Sequence, residues 1–181
     1  MLQNLLSIDE AYTRRLRVAE KPGVVRDLAI LFAHSGDSWV WLPALALLGW
    51  LGSAVWRERC VWMLVGIVIT ALVVFAIKFT VRRRRPEGEW GGFYRLTDPH
   101  SFPSGHAARA VMLAVLGLGL GPVGLGIVLL VWAPLVVLAR VAMGVHYLSD
   151  VLAGALLGLA IGLAMLWIIF KISPFISPLL F

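Results

Sequence analysis

Apolar residues run along this chain in long unbroken blocks, not in the alternation of a half-buried strand. Four stretches approach or exceed the roughly 18 residues that cross a bilayer core: Trp39–Val55, Cys60–Ile77, Ala107–Leu138 and Val151–Phe170. The third is too long for one crossing, and "GPVG" at Gly121–Gly124 divides it into two. The pattern predicts an all-α polytopic membrane helix bundle with about five transmembrane helices. A β-barrel would alternate lipid-facing and lumen-facing residues, and these blocks do not.

The first 36 residues read differently. Leu2, Leu5, Leu6, Ile8, Tyr12 and Leu16 are interleaved with Asp9, Glu10, Arg14, Arg15 and Arg17, the pattern of an amphipathic helix on a membrane surface. "KPG" at Lys21–Gly23 ends it. Val24–His34 carries Arg26 and Asp27 and reads as too short and too charged to cross. "HSGDS" reads as a turn, with Asp37 or Ser38 capping the first crossing helix. The chain is thus one membrane domain over 1–181: an interfacial segment at 1–36, a bundle at 37–172 and a Pro- and Gly-rich loop at 82–103. Gly154, Gly158 and Gly162 recur every fourth residue, a spacing that lets helices approach closely.

Composition agrees with this outline. Of 181 residues 60% are hydrophobic and 14% charged, against about 25% charged in soluble proteins. The net charge of +6 does not point to nucleic acid, because the basic residues gather at span ends, where they snorkel or meet lipid phosphates. The lone Cys60 is a core filler and excludes an intrachain disulfide. No cleavable leader is visible in Met1–Glu20.

Parity of the crossings brings three polar clusters to one membrane face: Lys78–Pro86, Pro103–His106 and Arg140–Asp150. Ionisable residues at the edges of apolar spans suggest function by default. Lys78, Arg85 and Arg140 form a phosphate clamp, guanidinium binding phosphate oxygens bidentately. Ser104 and Gly105 open a helix whose first N–H groups favour an anion, with Ser104 adding a hydroxyl and Gly105 allowing close approach. Together they account for a bound phosphate without a metal or other cofactor. His146 and Asp150, four apart, make an oriented base, and His106 is placed to protonate a leaving oxygen. Arg82–Arg84 read as span-end anchors and His34 and His100 as satisfied interfacial histidines. Trp90, Phe93 and Tyr94 read as interfacial aromatics.

"KFTVRRRRP", "PSGH" and "RVAMGVHYLSD" resemble the three signature motifs of the type 2 phosphatidic acid phosphatase (PAP2) superfamily. All internal spacings agree. One departure is Ala139, where the third motif usually has serine; another is length, since many bacterial members have six spans. The resemblance implies a metal-independent lipid phosphatase: His146 forms a phosphohistidine, Asp150 orients it and His106 protonates the leaving group. Lys78, Arg85, Ser104, Gly105 and Arg140 hold the phosphate. Its expected partners are the bilayer and a membrane lipid phosphate or pyrophosphate of phosphatidylglycerophosphate, phosphatidic acid, undecaprenyl diphosphate or lipid A type. A lipid phosphotransferase and a non-catalytic lipid-binding protein are the alternatives. The family habit places the site on the periplasmic face of a bacterial inner membrane. The count of basic residues, Arg14, Arg15, Arg17, Lys21 and Arg26 against Arg57, Arg59 and Lys171, argues for the cytoplasmic face; the periplasmic side is the expectation carried forward.

Overall fold

The computed structural model describes residues 2–88, 90 and 98–180, with the side chains at 2, 3, 5 and 173–180 excepted. Its elements are α1 (Leu2–Leu16), α2 (Val24–Ser35), α3 (Ser38–Leu51), α4 (Ala54–Val81), α5 (Gly105–Leu120), α6 (Val123–Ala142) and α7 (Leu148–Leu180). Three helices are long and apolar enough to cross a bilayer alone: α4, α6 and Leu148–Ile172 of α7. α3 and α5 are shorter apolar helices. No strand is present among the described residues.

α5 is the centre of the bundle. Ala107, Ala108, Ala110, Met112, Leu113, Ala114 and Leu116 are all buried along it, packed on by α4, α6 and α7. The outer faces remain apolar: Val68, Leu72 and Phe75 on α4, Val128 and Val131 on α6, and Leu156 and Trp167 on α7 are exposed. Apolar exposure on this scale is a lipid-facing surface. Cys60 is buried in the core formed by Met63, Ile67, Met112 and Met165, as a small hydrophobe.

The glycine spacing on α7 does what its periodicity predicts. A Cβ at Gly158 would overlap the backbone carbonyl of Ala108, one at Gly154 the carbonyl of Ser104, and one at Gly162 would lie 2.8 Å from Val115. The two helices therefore meet backbone to backbone, and Gly154 sets the depth of the Ser104 turn. Gly158→Ala is expected to cost about 1–3 kcal/mol through the forced shift of α5, read as a lower thermal midpoint in detergent.

α2 packs on the end of α6. Ala29 and Ala33 are buried against Ala139 and Met143 at the end of α6. Further along, the indole of Trp132, midway down α6, donates to Ser35 Oγ at 2.8 Å. Trp41 of α3 stacks on the same indole at 5.0 Å. α2 thus packs on α6 and α3 on α4, and Val24, Val25, Leu28 and Leu31 face outward. Gly36–Asp37 joins the two helices.

α1 carries its polar stripe inward. Thr13 is buried and its hydroxyl accepts from Leu148 N at 3.0 Å, while Asp9 Oδ1 accepts from Ser149 N at 3.0 Å. Leu6, Ile8, Tyr12 and Leu16 are exposed on the other side. The helix covers the start of α7 and keeps an apolar face for the membrane surface.

Candidate active site

Three segments converge where the loop ends meet. Arg84 pairs with His100 in an antiparallel bridge and Ser101 N donates to Arg83 O at 2.8 Å, holding the end of α4 beside the start of α5. Ser104 N in turn donates to Asp150 O at 2.9 Å, tying α5 to α7. The third segment turns at Gly144, whose φ of +68° favours glycine, and so carries the chain from Arg140 at the end of α6 to His146.

The expected phosphate ligands gather here. Lys78, Arg85, Ser104 and Arg140 are all buried, Arg140 being 0% exposed. Arg85 Nη1 lies 3.1 Å from His146 Nε2 and donates to Val145 O at 2.9 Å. Ser104 is the N-cap of α5, its hydroxyl accepting from Ala107 N at 3.5 Å. A Cβ at Gly105 would meet only Val74, at 3.4 Å, so protein packing does not demand glycine there. Lys78 Nζ donates to His100 O at 2.8 Å and to the carboxylate of Asp98. Arg85 Nη2 binds the same carboxylate at 2.7 Å. Asp98 thus occupies both cations, a partner the motif residues did not announce.

His146 is 1% exposed. Burial holds its pKa well below the ordinary range, and the Arg85, Arg140 and Lys78 cations push it further down. It is therefore neutral, with a lone pair available. Its Nδ1 faces Asp150 Oδ2 at 3.6 Å, longer than a hydrogen bond. Asp150 is bound elsewhere: Oδ2 accepts from Tyr147 N at 2.9 Å, and Oδ1 accepts from Arg83 Nη1 at 2.8 Å.

Arg83 corrects the reading of Arg82–Arg84 as anchors. Its guanidinium also reaches Ser149 Oγ at 2.6 Å and Asp9 Oδ2 at 2.7 Å, and lies 3.9 Å over the Tyr147 ring. In Asp9, burial acts to raise the carboxyl pKa, but the hydrogen bonds from Ser149 and Arg83 outweigh it and hold the pKa below the ordinary range.

Asp37 corrects the reading as a helix cap. It stands at the N-cap of α3 without a side-chain cap bond. Its Oδ1 meets His106 Nε2 at 2.5 Å, and its Oδ2 meets His34 Nδ1 and Trp39 Nε1, each at 2.9 Å. His34 is accordingly a satisfied histidine, as expected. The His100 ring stands edge-on to Phe79 at 5.5 Å. Trp90 lies 5.2 Å from the Arg26 guanidinium and packs against the Ala29–Met143 cluster; Phe93 and Tyr94 lie outside the described residues. Ala139, the departure in the third motif, is buried in that same cluster.

A cavity of about 300 Å³ is lined by His106 and His146 together with Thr70, Val74, Phe75 and Lys78 of α4. A wider pocket of about 940 Å³ adjoins Arg85 and is lined by Arg14, Arg17, Arg82, Arg84 and Tyr147. One side of the cluster is apolar, the other strongly basic. Among the described residues no group of His, Cys, Asp and Glu side chains is arranged to hold a metal.

The chain is similar to several known proteins. Decaprenylphosphoryl-5-phosphoribose phosphatase of Mycobacterium tuberculosis is 32% identical over 148 residues, covering 80% of each chain. Undecaprenyl-diphosphatase of Sulfolobus acidocaldarius is 33% identical over 135 residues, 72% of this chain and 64% of that protein. The crystal structure of the transmembrane phosphatidylglycerolphosphate phosphatase of Bacillus subtilis superposes with a TM-score of 0.76 at 26% identity, covering 95% of this chain and 89% of the other. Aquifex aeolicus LpxE superposes with a TM-score of 0.69 at 25% identity, covering 87% and 93%. The PAP2 superfamily model matches residues 59–174, a span that holds all three convergent segments, and the chain is a member of that superfamily.

Proposed function

We propose that the chain is a metal-independent phosphatase that removes a phosphate from a membrane lipid phosphate or pyrophosphate through a phosphohistidine. The observation that carries this reading is the buried His146, with Nε2 3.1 Å from the Arg85 guanidinium in a cavity it shares with Lys78 and His106. The lone pair attacks phosphorus and the bond to the leaving oxygen breaks. Arg85, Lys78 and Arg140 balance the charge on the equatorial oxygens, with the first turn of α5 adding N–H donors. His106 gives a proton to the leaving oxygen. Water then attacks the phosphorus–nitrogen bond, His106 recovers a proton, and phosphate leaves. Asp150 stabilises the His146 ring as it becomes positive. The Asp98 carboxylate must give way to the phosphate on Lys78 and Arg85.

The apolar wall of α4 and the basic outer pocket suit a substrate with its tail in lipid and a polar head in water. The two curated relatives described above are named for polyprenyl-linked substrates, which puts such lipids in the test panel beside phosphatidylglycerophosphate and phosphatidic acid. Detergent-purified protein is expected to release phosphate from at least one, with EDTA present. No release from any of them by folded protein would overturn the reading in favour of a transferase or a binding role.

The active site is assigned to the periplasmic face of a bacterial inner membrane. Arg17 is held by Glu20 and by the Glu87 carbonyl, and Arg26 donates to Glu20 O at 3.1 Å. These arginines serve local structure, which weakens their weight as an inside signal. Cysteine labelling at Arg84 in intact cells checks the assignment; protection from an impermeant reagent would reverse it.

Arg85→Met supplies a further prediction. After burial, Arg85 is the largest cause of the low His146 pKa. Nucleophilic His146 is the neutral form, present above its pKa, so wild-type kcat/KM persists below the ordinary histidine value of about 6.5. Without Arg85 the acidic limb moves up toward that value, and KM rises by about tenfold or more from the lost charged hydrogen bonds. An acidic limb that stays in place would contradict the electrostatic account.

A further inference from the structure

The break between α2 and α3 lies beside Trp132 and Val136 of α6, and a buried backbone group left loose is costly. Three of the carbonyls around it are met by side chains, and His34 O accepts from Asp37 N at 3.0 Å. Trp41 Nε1 donates to Ser35 O at 2.9 Å, Arg109 Nη1 donates to Gly36 O at 2.8 Å, and Ser35 Oγ donates to Phe32 O at 2.8 Å. Val136 and His106 close on Gly36, where a Cβ would stand 2.9 Å from Val136 Cγ1 and 3.4 Å from His106 Cδ2. The junction is thus held in place by side chains of α3 and α5 as well as its own. What it presents is Asp37. The carboxylate leaves its own helix uncapped and spends Oδ1 on His106 Nε2 at 2.5 Å, with Oδ2 anchored by His34 and Trp39.

We propose that Asp37 is the positioning residue of the general acid, binding His106 through Nε2 so that Nδ1 delivers the proton to the leaving oxygen. This rests on His106 being that acid. The ring edge bearing Nε2 and Cδ2 faces the junction, which leaves the edge bearing Nδ1 for the cavity. The protons balance. Imidazolium donates from Nδ1 as the phosphorus–oxygen bond breaks, and Nε2–H stays on Asp37. Nδ1 then takes a proton from the water that attacks the phosphohistidine. The site would hold two histidine–carboxylate pairs, one for the nucleophile and one for the acid, the second supplied from a helix junction 69 residues upstream of its histidine.

The test compares leaving groups. An alkyl lipid phosphate needs its leaving oxygen protonated; p-nitrophenyl phosphate, with a stable leaving anion, does not. For full-length Asp37→Asn, kcat/KM on the lipid substrate is expected to fall on the order of tenfold or more, part of what a general acid contributes. On p-nitrophenyl phosphate it should fall less than about threefold on the same reasoning, and Asp37→Glu should recover the lipid activity. Asp37→Ser carries the same comparison if Asp37→Asn does not accumulate. An equal loss on both substrates means Asp37 only holds the fold; no loss on either means it is idle; each overturns the proposal. His106→Ala, measured beside it, separates the two levels. If His106→Ala shows the leaving-group selectivity and Asp37→Asn does not, Asp37 alone is misassigned. If His106→Ala shows none, the acid itself is.

Discussion

His146→Ala is expected to lose phosphate release by a factor on the order of 10⁴ or more, the scale seen when a covalent nucleophile is deleted from a catalytic unit. The side chain is 1% exposed and hydrogen-bonds to Arg85, which keeps its bonds to Val145 O and Asp98, so its removal leaves a small cavity and not a collapsed site. Two readings separate it from a structural defect. Rapid quenching of wild-type enzyme with labelled substrate should leave acid-labile phosphate on the protein, and His146→Ala should carry none. Binding of substrate should survive, because Lys78, Arg85 and Arg140 are untouched. Turnover persisting in His146→Ala at more than about 1% of wild type, far above what loss of a nucleophile permits, would sink the phosphohistidine mechanism while leaving the phosphatase reading open.

The bundle and the central cluster were legible because each rests on short-range pattern. Hydrophobic blocks fix which segments cross, parity fixes which ends share a face, and motif spacing places Lys78 with Arg85 and His146 with Asp150. What escaped is what depends on partners far along the chain. Asp37 has the local signature of an N-cap, and nothing near it says that His106 will claim its carboxylate. Arg83 sits in a run of four arginines at a span end, where anchoring explains any one of them; only folding picks the one that reaches Asp150 and Asp9. Asp9 and Thr13 read as the wet side of a surface helix, and periodicity alone does not tell wet from bound. α2 was set apart from the bundle because Arg26 and Asp27 interrupt its apolar run. Both lie in its first turn, which leaves Ala29 and Ala33 to pack on α6. The Asp98 carboxylate on Lys78 and Arg85 had no sequence signal, its loop having no periodicity.

Arg83→Met is the second large effect, and it discriminates among four neighbours of identical chemistry. Asp150 is 0% exposed. Arg83 is the cation ion-paired with its carboxylate, and the His146 ring stands farther off, at 3.6 Å. Removing one partner of a buried ion pair costs about 3–5 kcal/mol, because the other charge remains buried. Arg83→Met is therefore expected to lower the thermal midpoint markedly. It should also cut kcat by about a hundredfold or more, since a carboxylate that loses its anchor no longer orients the nucleophile. The same change leaves Asp9 to Ser149 alone and weakens the hold of α1 on the start of α7, which should appear as faster proteolysis between α1 and α2. Arg82→Met and Arg84→Met keep Asp150 and Asp9 paired and should leave kcat within about threefold, as surface charge changes do. Equal effects at 82, 83 and 84 would mean that the run acts only as a basic rim, and that α1 is a bystander to the chemistry instead of one of its supports.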